Sequence, residues 1–127
     1  MSRERQELGK WGEEQGCSYL SSRGWEILRR NYRSALGEVD IIASQGDQLI
    51  FVEVKTRRST AYGYPAESVN YKKRLKYEQL ALYFLKETGR IDSSCRFDVL
   101  EVIVNRDNTF CINHIVNAFQ AQSSRYY

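Results

Sequence analysis

The stretch GEVDIIASQGDQLIFVEVKTR, Gly37–Arg57, decides how this chain reads. Two apolar-rich runs flank a polar turn, and Glu38, Asp40, Glu53 and Lys55 interrupt them. Successive side chains of a strand point to opposite faces. That alternation puts Val39, Ile41 and Ala43 on one face with Ile50, Val52 and Val54, an apolar row suited to a core. The other face carries Glu38, Asp40 and Ile42 from the first strand, with Leu49, Phe51, Glu53 and Lys55 from the second. A one-residue slip would set an apolar row against a charged one, so the parity of the register is determined. A loop over Gln45-Gly46-Asp47-Gln48 then closes a hairpin with Ser44 opposite Leu49. Continued outward, Ile42 faces Phe51, Asp40 faces Glu53 and Glu38 faces Lys55, so the charges gather at the open end.

Directly opposed residues of an antiparallel pair have Cβ atoms about 5 Å apart, and two carboxylates so placed repel unless a cation lies between them. A divalent metal is the economical remedy, because Mg²⁺ takes one or two protein carboxylates, keeps several waters and shares its other positions with phosphate. Lys55, two residues beyond Glu53 on the same face, is placed to reach a metal-bound water or the charge developing on a phosphate. The hairpin therefore reads as half of a phosphodiester-cleaving site. The plainer alternative is a surface ion-pair ladder, worth little in stability. Against it, Ile42, Leu49 and Phe51 make even the charged face half apolar, so another element should cover it.

Asp40 followed by Glu53-Val54-Lys55 resembles the D…ExK core of the PD-(D/E)xK nucleases, which have the restriction-endonuclease-like fold. The blocks GKWGEEQG, NYRSALGEVDIIA, FVEVKTR and RFDVLEV are similar in order and spacing to the YraN-like family of small bacterial proteins, over about Gly9 to Val102. That family in turn resembles archaeal Holliday-junction resolvases. Val39 precedes Asp40 where the superfamily has Pro, and Gly16 stands where the family usually has Ala. The resemblance implies a metal-dependent nuclease, with Asp40 and Glu53 ligating Mg²⁺ or Mn²⁺, the backbone carbonyl of Val54 assisting, and Lys55 orienting the attacking water. It also implies branched or structured DNA as a substrate, and symmetric cleavage of both strands would favour a homodimer.

Composition sets independent bounds. A chain of 127 residues supports one domain, residues 1–127, with a modest core. No apolar run approaches the roughly 18–20 residues of a membrane span, and MSRERQELGK lacks the apolar core of a signal peptide. The three cysteines, Cys17, Cys95 and Cys111, are odd in number and have no CxxC spacing. A reduced cytoplasmic setting is expected. Cys111 and His114 have a ligand-like spacing, but no second pair completes a zinc site.

A helix is expected over Arg3–Ser22, with Gly24 just past its end. Gly9, Gly12 and Gly16 lie inside it, each costing up to about 1 kcal/mol relative to Ala, which calls for close approach to another element. Glu13 shares a face with Gly9, Gly16, Cys17 and Leu20 and should look toward the sheet. An inward glutamate needs a partner, so Glu13 is a candidate for a metal-bound water or a basic residue of the site, the alternative being a local ion pair. WEILRRNY reads as the first strand. After the hairpin come a polar loop, RSTAYGYPAES, and a helix from the capping Asn70 to about Thr88, closed by Gly89. CRFDVLEVIV and TFCINHIV are the fourth and fifth strands, joined at Asn105-Arg106-Asp107-Asn108, with a short helix or turn over residues 116–119. The order is α-β-β-β-α-β-β-α, an α/β chain with a mixed central sheet flanked by helices. A right-handed crossover through the long helix lays the fourth strand parallel to the third. Four strands and two helices match what the restriction-endonuclease-like fold requires.

The net charge is only +3, but from Lys55 to Lys76 seven basic residues face one acid, Glu67. Arg57, Arg58, Lys72 and Lys73 belong to this cluster; Arg29, Arg30 and Arg33 form a second one just before the hairpin. Both flank the carboxylates as the walls of a nucleic-acid groove would. Tyr62, Tyr64, Tyr71 and Tyr77 interleave with the charge, and aromatic faces can stack on unpaired bases. Gln79 and Tyr83 are one helical turn apart and resemble the QxxxY element of one nuclease branch, which makes Gln79, with Glu13 and Glu38, a second-tier site residue. Asp98 is expected to bond structurally to Arg96 or a helix end. Taken together, the expectation is an endonuclease acting on DNA. Its rivals are a catalytically silent nucleic-acid-binding module of the same fold and an RNA nuclease.

Overall fold

The hairpin lies at the middle of a sheet, and helices cover it on both faces. The computed structural model describes residues 3–59 and 71–119, the side chains of residues 71–73 and 119 excepted. The chain runs α1 (Arg3–Ser22), β1 (Glu26–Ser34), β2 (Gly37–Gln45), β3 (Gln48–Arg58), α2 (Tyr71–Glu87), β4 (Ser94–Val104) and β5 (Phe110–Phe119). The five strands form one sheet in sequence order. Every neighbouring pair is antiparallel except β3 and β4, which are parallel. The connection through α2 supplies the long crossover that a parallel pair requires. This is the mixed α/β sheet expected, with β1 and β5 at its edges. None of the described helices is long and apolar enough to cross a membrane.

Ser44 pairs with Leu49 and Ile42 with Phe51, as the alternation demands. Gln45 also pairs with Gln48, so the turn is two residues, Gly46 and Asp47. Gly46 has φ 58°, the positive value that such a turn accepts at its first position. The ladder then stops at Ile41 and Val52. Asp40 and Glu53 are not a ladder pair, nor are Glu38 and Lys55, which corrects the extrapolated register. The cause is a local reversal: Ile41 packs beneath α1, whereas Val39, two residues away, packs beneath α2 with Ile42. On β1, Asn31 stands between the partners of Ile41 and Val39 and has φ 52°, a left-handed conformation that Asn tolerates better than most residues. Both strands turn over here, and β2 leaves β3 at Asp40. Val39 accordingly lies on the opposite face from the one its parity assigned.

α2 buries Tyr77, Leu80, Ala81, Phe84 and Leu85 against Ile42, Leu49, Phe51, Phe97 and Val99. These helix positions are i, i+3, i+4, i+7 and i+8, the stripe of a half-buried helix. Burying a side chain such as Phe84, which is 0% exposed, contributes about 1.5–3 kcal/mol. α1 lies on the other face over Ile41, Ala43, Ile50, Val52 and Leu100. Its glycines allow that approach: a Cβ at Gly12 would collide with the Thr56 side chain, and one at Gly16 would come within 3.2 Å of Leu100 Cδ1. α1 ends as expected, with Gly24 at φ 86° and the Trp25 amide donating to the Leu20 carbonyl at 3.1 Å. Of the second helix's expected cap, Asn70 lies outside the described residues.

The expected helix or turn over residues 116–119 is instead the end of β5. Asn117, at φ 54°, donates its amide to Asp98 Oδ1 at 2.8 Å. That bond carries β5 past a register shift, so that Phe119 pairs with Phe97.

Candidate active site

The split between β2 and β3 leaves a gap into which Asp40 turns. Its Oδ2 accepts a hydrogen bond from the Val54 amide at 2.8 Å. The carboxylate that the ladder does not pair with Glu53 is thus fastened to the residue after Glu53. Glu53 projects from the buried α2 face of β3, and the Lys55 ammonium lies 3.0 Å from its Oε1, the two side chains being 6% and 30% exposed. The carboxylate is therefore inside, and the lysine leads outward from it. Tyr77, reaching in from the first turns of α2, hydrogen-bonds Glu53 as well. From α1, Glu13 is hydrogen-bonded by the Asn31 side chain and has Arg30 and Arg33 in its neighbourhood. Glu38 is ion-paired with Arg33 at 3.3 Å across the β1–β2 ladder.

Four carboxyl groups, Asp40, Glu53, Glu13 and Glu38, thus share one end of the sheet. Burial pushes the Asp40 carboxyl up to about 6 from 3.8; the Val54 amide opposes this, and Glu13, Glu53 and Glu38 add to it. Glu13 is raised by burial and then by Glu38, with Asn31, Arg30 and Arg33 acting the other way. Burial, then Glu53 and Asp40, hold the Tyr77 hydroxyl far above the ordinary phenol range, so it remains a donor. An acid raised by burial and by neighbouring acids is a common mark of a functional site.

Among the described residues, no group of three or more His, Cys, Asp or Glu side chains is arranged to hold a metal ion. The donors at hand are two carboxylates, Asp40 and Glu53, with the Val54 backbone next to Glu53 in the chain and bonded through its amide to Asp40. An all-oxygen pair of this kind does not make a closed zinc-type cage. It does fit a hard cation that keeps most of its coordination for water and phosphate.

The basic residues divide. Arg30 and Arg33 stand beside the carboxylates, while Arg29 faces the other way, its guanidinium 5.8 Å from the Phe84 ring centroid. Arg57 has a guanidinium nitrogen 3.8 Å from buried Glu101, which also accepts a hydrogen bond from Asn113 at 3.0 Å. Arg58 is exposed at the end of β3. Tyr62 and Tyr64 lie outside the described residues, as do the side chains of Tyr71, Lys72 and Lys73. Gln79 and Tyr83 lie on the exposed side of α2, turned away from the stripe that brings Tyr77 to Glu53. Tyr77 is 8% exposed, so it is a ligand of Glu53 and not a platform for bases. Its place as the first residue of the apolar stripe was the available signal.

Away from this end, Asp98 bonds Arg96 as expected, through two contacts of 2.8 Å. It also takes His114 Nε2 at 2.8 Å, and the Tyr19 hydroxyl lies 3.4 Å from His114 Nδ1. Cys111 is exposed. It and His114, three residues apart in a regular stretch of β5, point to opposite faces and share no ligand. A pocket of about 500 Å³ adjoins the carboxylates between α1 and the end of β3, and another of about 620 Å³ lies by the Gly46-Asp47 turn and the start of β4, away from every candidate residue.

The model of the uncharacterised protein family UPF0102 matches residues 12–102. The chain is 46% identical to a UPF0102 protein of Clostridium acetobutylicum over 121 residues, covering 94% of this chain and 99% of that one. It is also 46% identical to a UPF0102 protein of Caldicellulosiruptor saccharolyticus, over 91% of this chain and 98% of the relative. A third, from Rhodococcus jostii, is 46% identical over 88% of this chain and 95% of its own. The matched span holds Glu13, Asp40, Glu53 and Lys55, and the chain belongs to the UPF0102 family, the YraN-like group that its sequence blocks resemble.

Proposed function

We propose that this protein is a metal-dependent phosphodiester hydrolase of the restriction-endonuclease-like fold, acting on DNA. The observation that carries the reading is the convergence of Asp40, Glu53 and Lys55 where β2 splits from β3. Asp40 is tied to the Val54 amide, and Glu53 lies 3.0 Å from the Lys55 ammonium. A structural ion pair needs only the last two. The half-buried Asp40 carboxyl, raised by burial and then by its acidic neighbours, is a cost to the fold unless a cation offsets it.

Asp40 and Glu53 would hold Mg²⁺ or Mn²⁺ with the Val54 carbonyl. When bound, such an ion polarises a phosphodiester and lowers the pKa of water. The chain's own residues do the positioning. Tyr77 and Lys55 both hold the Glu53 carboxylate, whose Oε2 is buried without a hydrogen-bond partner among the described residues, and the Val54 amide fixes that of Asp40. The Lys55 ammonium, on the outer side of Glu53, orients the attacking water and faces the charge that develops on the phosphoryl oxygens. Water is the nucleophile, since His114 is engaged by Asp98 and, among the described residues, no serine or cysteine is paired with a base at this end. Arg30, Arg33 and Arg58 supply positive charge around the site. Cutting both strands of branched DNA would call for two copies of the chain.

The test is a cleavage panel of linear, nicked, flapped and four-way DNA, and RNA, with Mg²⁺ or Mn²⁺ and with chelator. Cation-dependent cleavage of DNA is expected. Binding without cleavage on every substrate would make the protein a silent binding module, and cleavage confined to RNA would change the substrate class.

A further inference from the structure

Three glycines fall along α1, and the structure accounts for two of them. A Cβ at Gly12 would collide with Thr56, and one at Gly16 would press on Leu100 and Val54 at 3.2 and 3.4 Å. At Gly9 an added Cβ would meet nothing within 4 Å. Glycine inside a helix is unfavourable relative to alanine, and here no contact within the described chain offsets it. Gly9 instead borders the pocket of about 500 Å³ beside the carboxylates, a volume within the roughly 300–1,000 Å³ of small-molecule sites.

The walls of that pocket are unequal. Arg5 and Leu8 come from α1, and Arg57 and Arg58 from the end of β3. Three arginines and two acids, Glu4 and Glu13, thus line it, with Arg57 also paired with Glu101. Glu13 and Val54, which also border the pocket, are the residues through which it adjoins Asp40. A ligand there would have its anionic part at the arginines and another part over the bare helix backbone at Gly9. Guanidinium groups match phosphate oxygens in paired hydrogen bonds, and Leu8 with Gly9 offers a small apolar surface for a sugar or base.

We propose that this pocket seats one nucleotide unit, its phosphate on Arg5 and Arg58 and its sugar or base across Gly9. On the reading of Asp40, Glu53 and Lys55 as a cleaving centre, the unit is the nucleotide adjoining the scissile phosphate, and the pocket fixes which bond is presented. The proposal rests on that reading for the origin of the nucleotide but not for its binding. The shared chemistry is a nucleotide phosphate, whether within a strand or free.

Gly9→Leu tests it, because a Cβ there meets nothing within 4 Å at the pocket's edge and the helix gains propensity, so the melting temperature should hold or rise. Binding is read in chelator, where no cleavage occurs, by anisotropy of a labelled 5′-phosphorylated oligothymidylate with free thymidine monophosphate as competitor. Gly9→Leu and Arg58→Ala are each expected to weaken oligonucleotide binding by about tenfold, while Gly9→Ala weakens it less. Competition by the monophosphate would assign the pocket to a free nucleotide, and no competition to a nucleotide held in a strand. Wild-type affinity in a folded Gly9→Leu protein would overturn the proposal, whether or not the protein cleaves DNA. A protein inert to every cleavage substrate but with this binding loss would keep the pocket and remove the nuclease reading.

Discussion

Asp40 and Asp98 are aspartates of the same sheet, both shielded from solvent, and the protein treats them in opposite ways. Asp98 takes two bonds from Arg96, one from the Asn117 amide and a contact to His114, all at 2.8 Å. Although burial works against it, His114, Arg96 and the Asn117 amide hold its carboxyl below the usual range. Asp40 is raised to about 6, first by burial and then by Glu13, Glu53 and Glu38, with the Val54 amide opposing them. One environment is complete within the chain, as a structural carboxylate requires. The other gathers acids, and on the proposed reading a bound cation would relieve their repulsion. Burial acts on both carboxyls in the same sense, and the sign of the neighbouring groups separates them.

The largest expected effect tests the completed side. Asp98→Ala leaves Arg96 and His114 around an emptied, buried position, and losing one partner of such a pair costs about 3–5 kcal/mol. Urea unfolding checks this, and a loss below about 1 kcal/mol, the scale of surface pairs, would put the cluster on a par with the exposed Arg33–Glu38 bridge. On the other side, Lys55→Ala is expected to lower cleavage by about 10²–10⁴-fold. DNA affinity in chelator should hold, since other basic residues share the phosphates; a wild-type rate would remove Lys55 from the chemistry. Tyr77→Phe deletes the hydroxyl that holds Glu53, for a destabilisation of about 1–2 kcal/mol. Unchanged stability would mean that Lys55 alone fixes the carboxylate.

The aspartates also bend the pH profile in opposite senses. Because the folded pKa of Asp98 is lowered, its contribution is present above about 3.8 and is lost as pH falls through the folded value. Asp40 is raised from 3.8 to about 6, so the folded state binds the extra proton and stability declines as pH rises across that interval.

The hairpin register around Ile42 and Phe51 was legible because a period of two leaves one parity compatible with a buried face. The bounds of α1 and the parallel β3–β4 pair were legible for similar reasons, from caps and crossover length. The reversal at Asp40 was not, because it depends on the left-handed backbone of Asn31 in a neighbouring strand, and alternation carries no signal of a kink in the partner. Tyr77 was read by its proximity to lysines in sequence, whereas its position on the α2 stripe determines where it goes. Asp98 was readable only as far as Arg96, two residues away; His114 and Asn117 reach it through the β4–β5 pairing.

Whether Asp40 is strained without a cation is decided by melting wild type and Asp40→Asn in chelator and in Mn²⁺. Asn retains an acceptor for the Val54 amide while removing the charge. In chelator at pH 8, Asp40→Asn should be more stable by on the order of 1–2 kcal/mol, a gain that fades toward pH 4. Mn²⁺ should raise the melting temperature of the wild type and leave that of the variant nearly unmoved, since binding to the folded state is the source of the rise. A variant that is destabilised in chelator and indifferent to Mn²⁺, beside a wild type equally indifferent, would contradict the account and make Asp40 a second structural aspartate like Asp98.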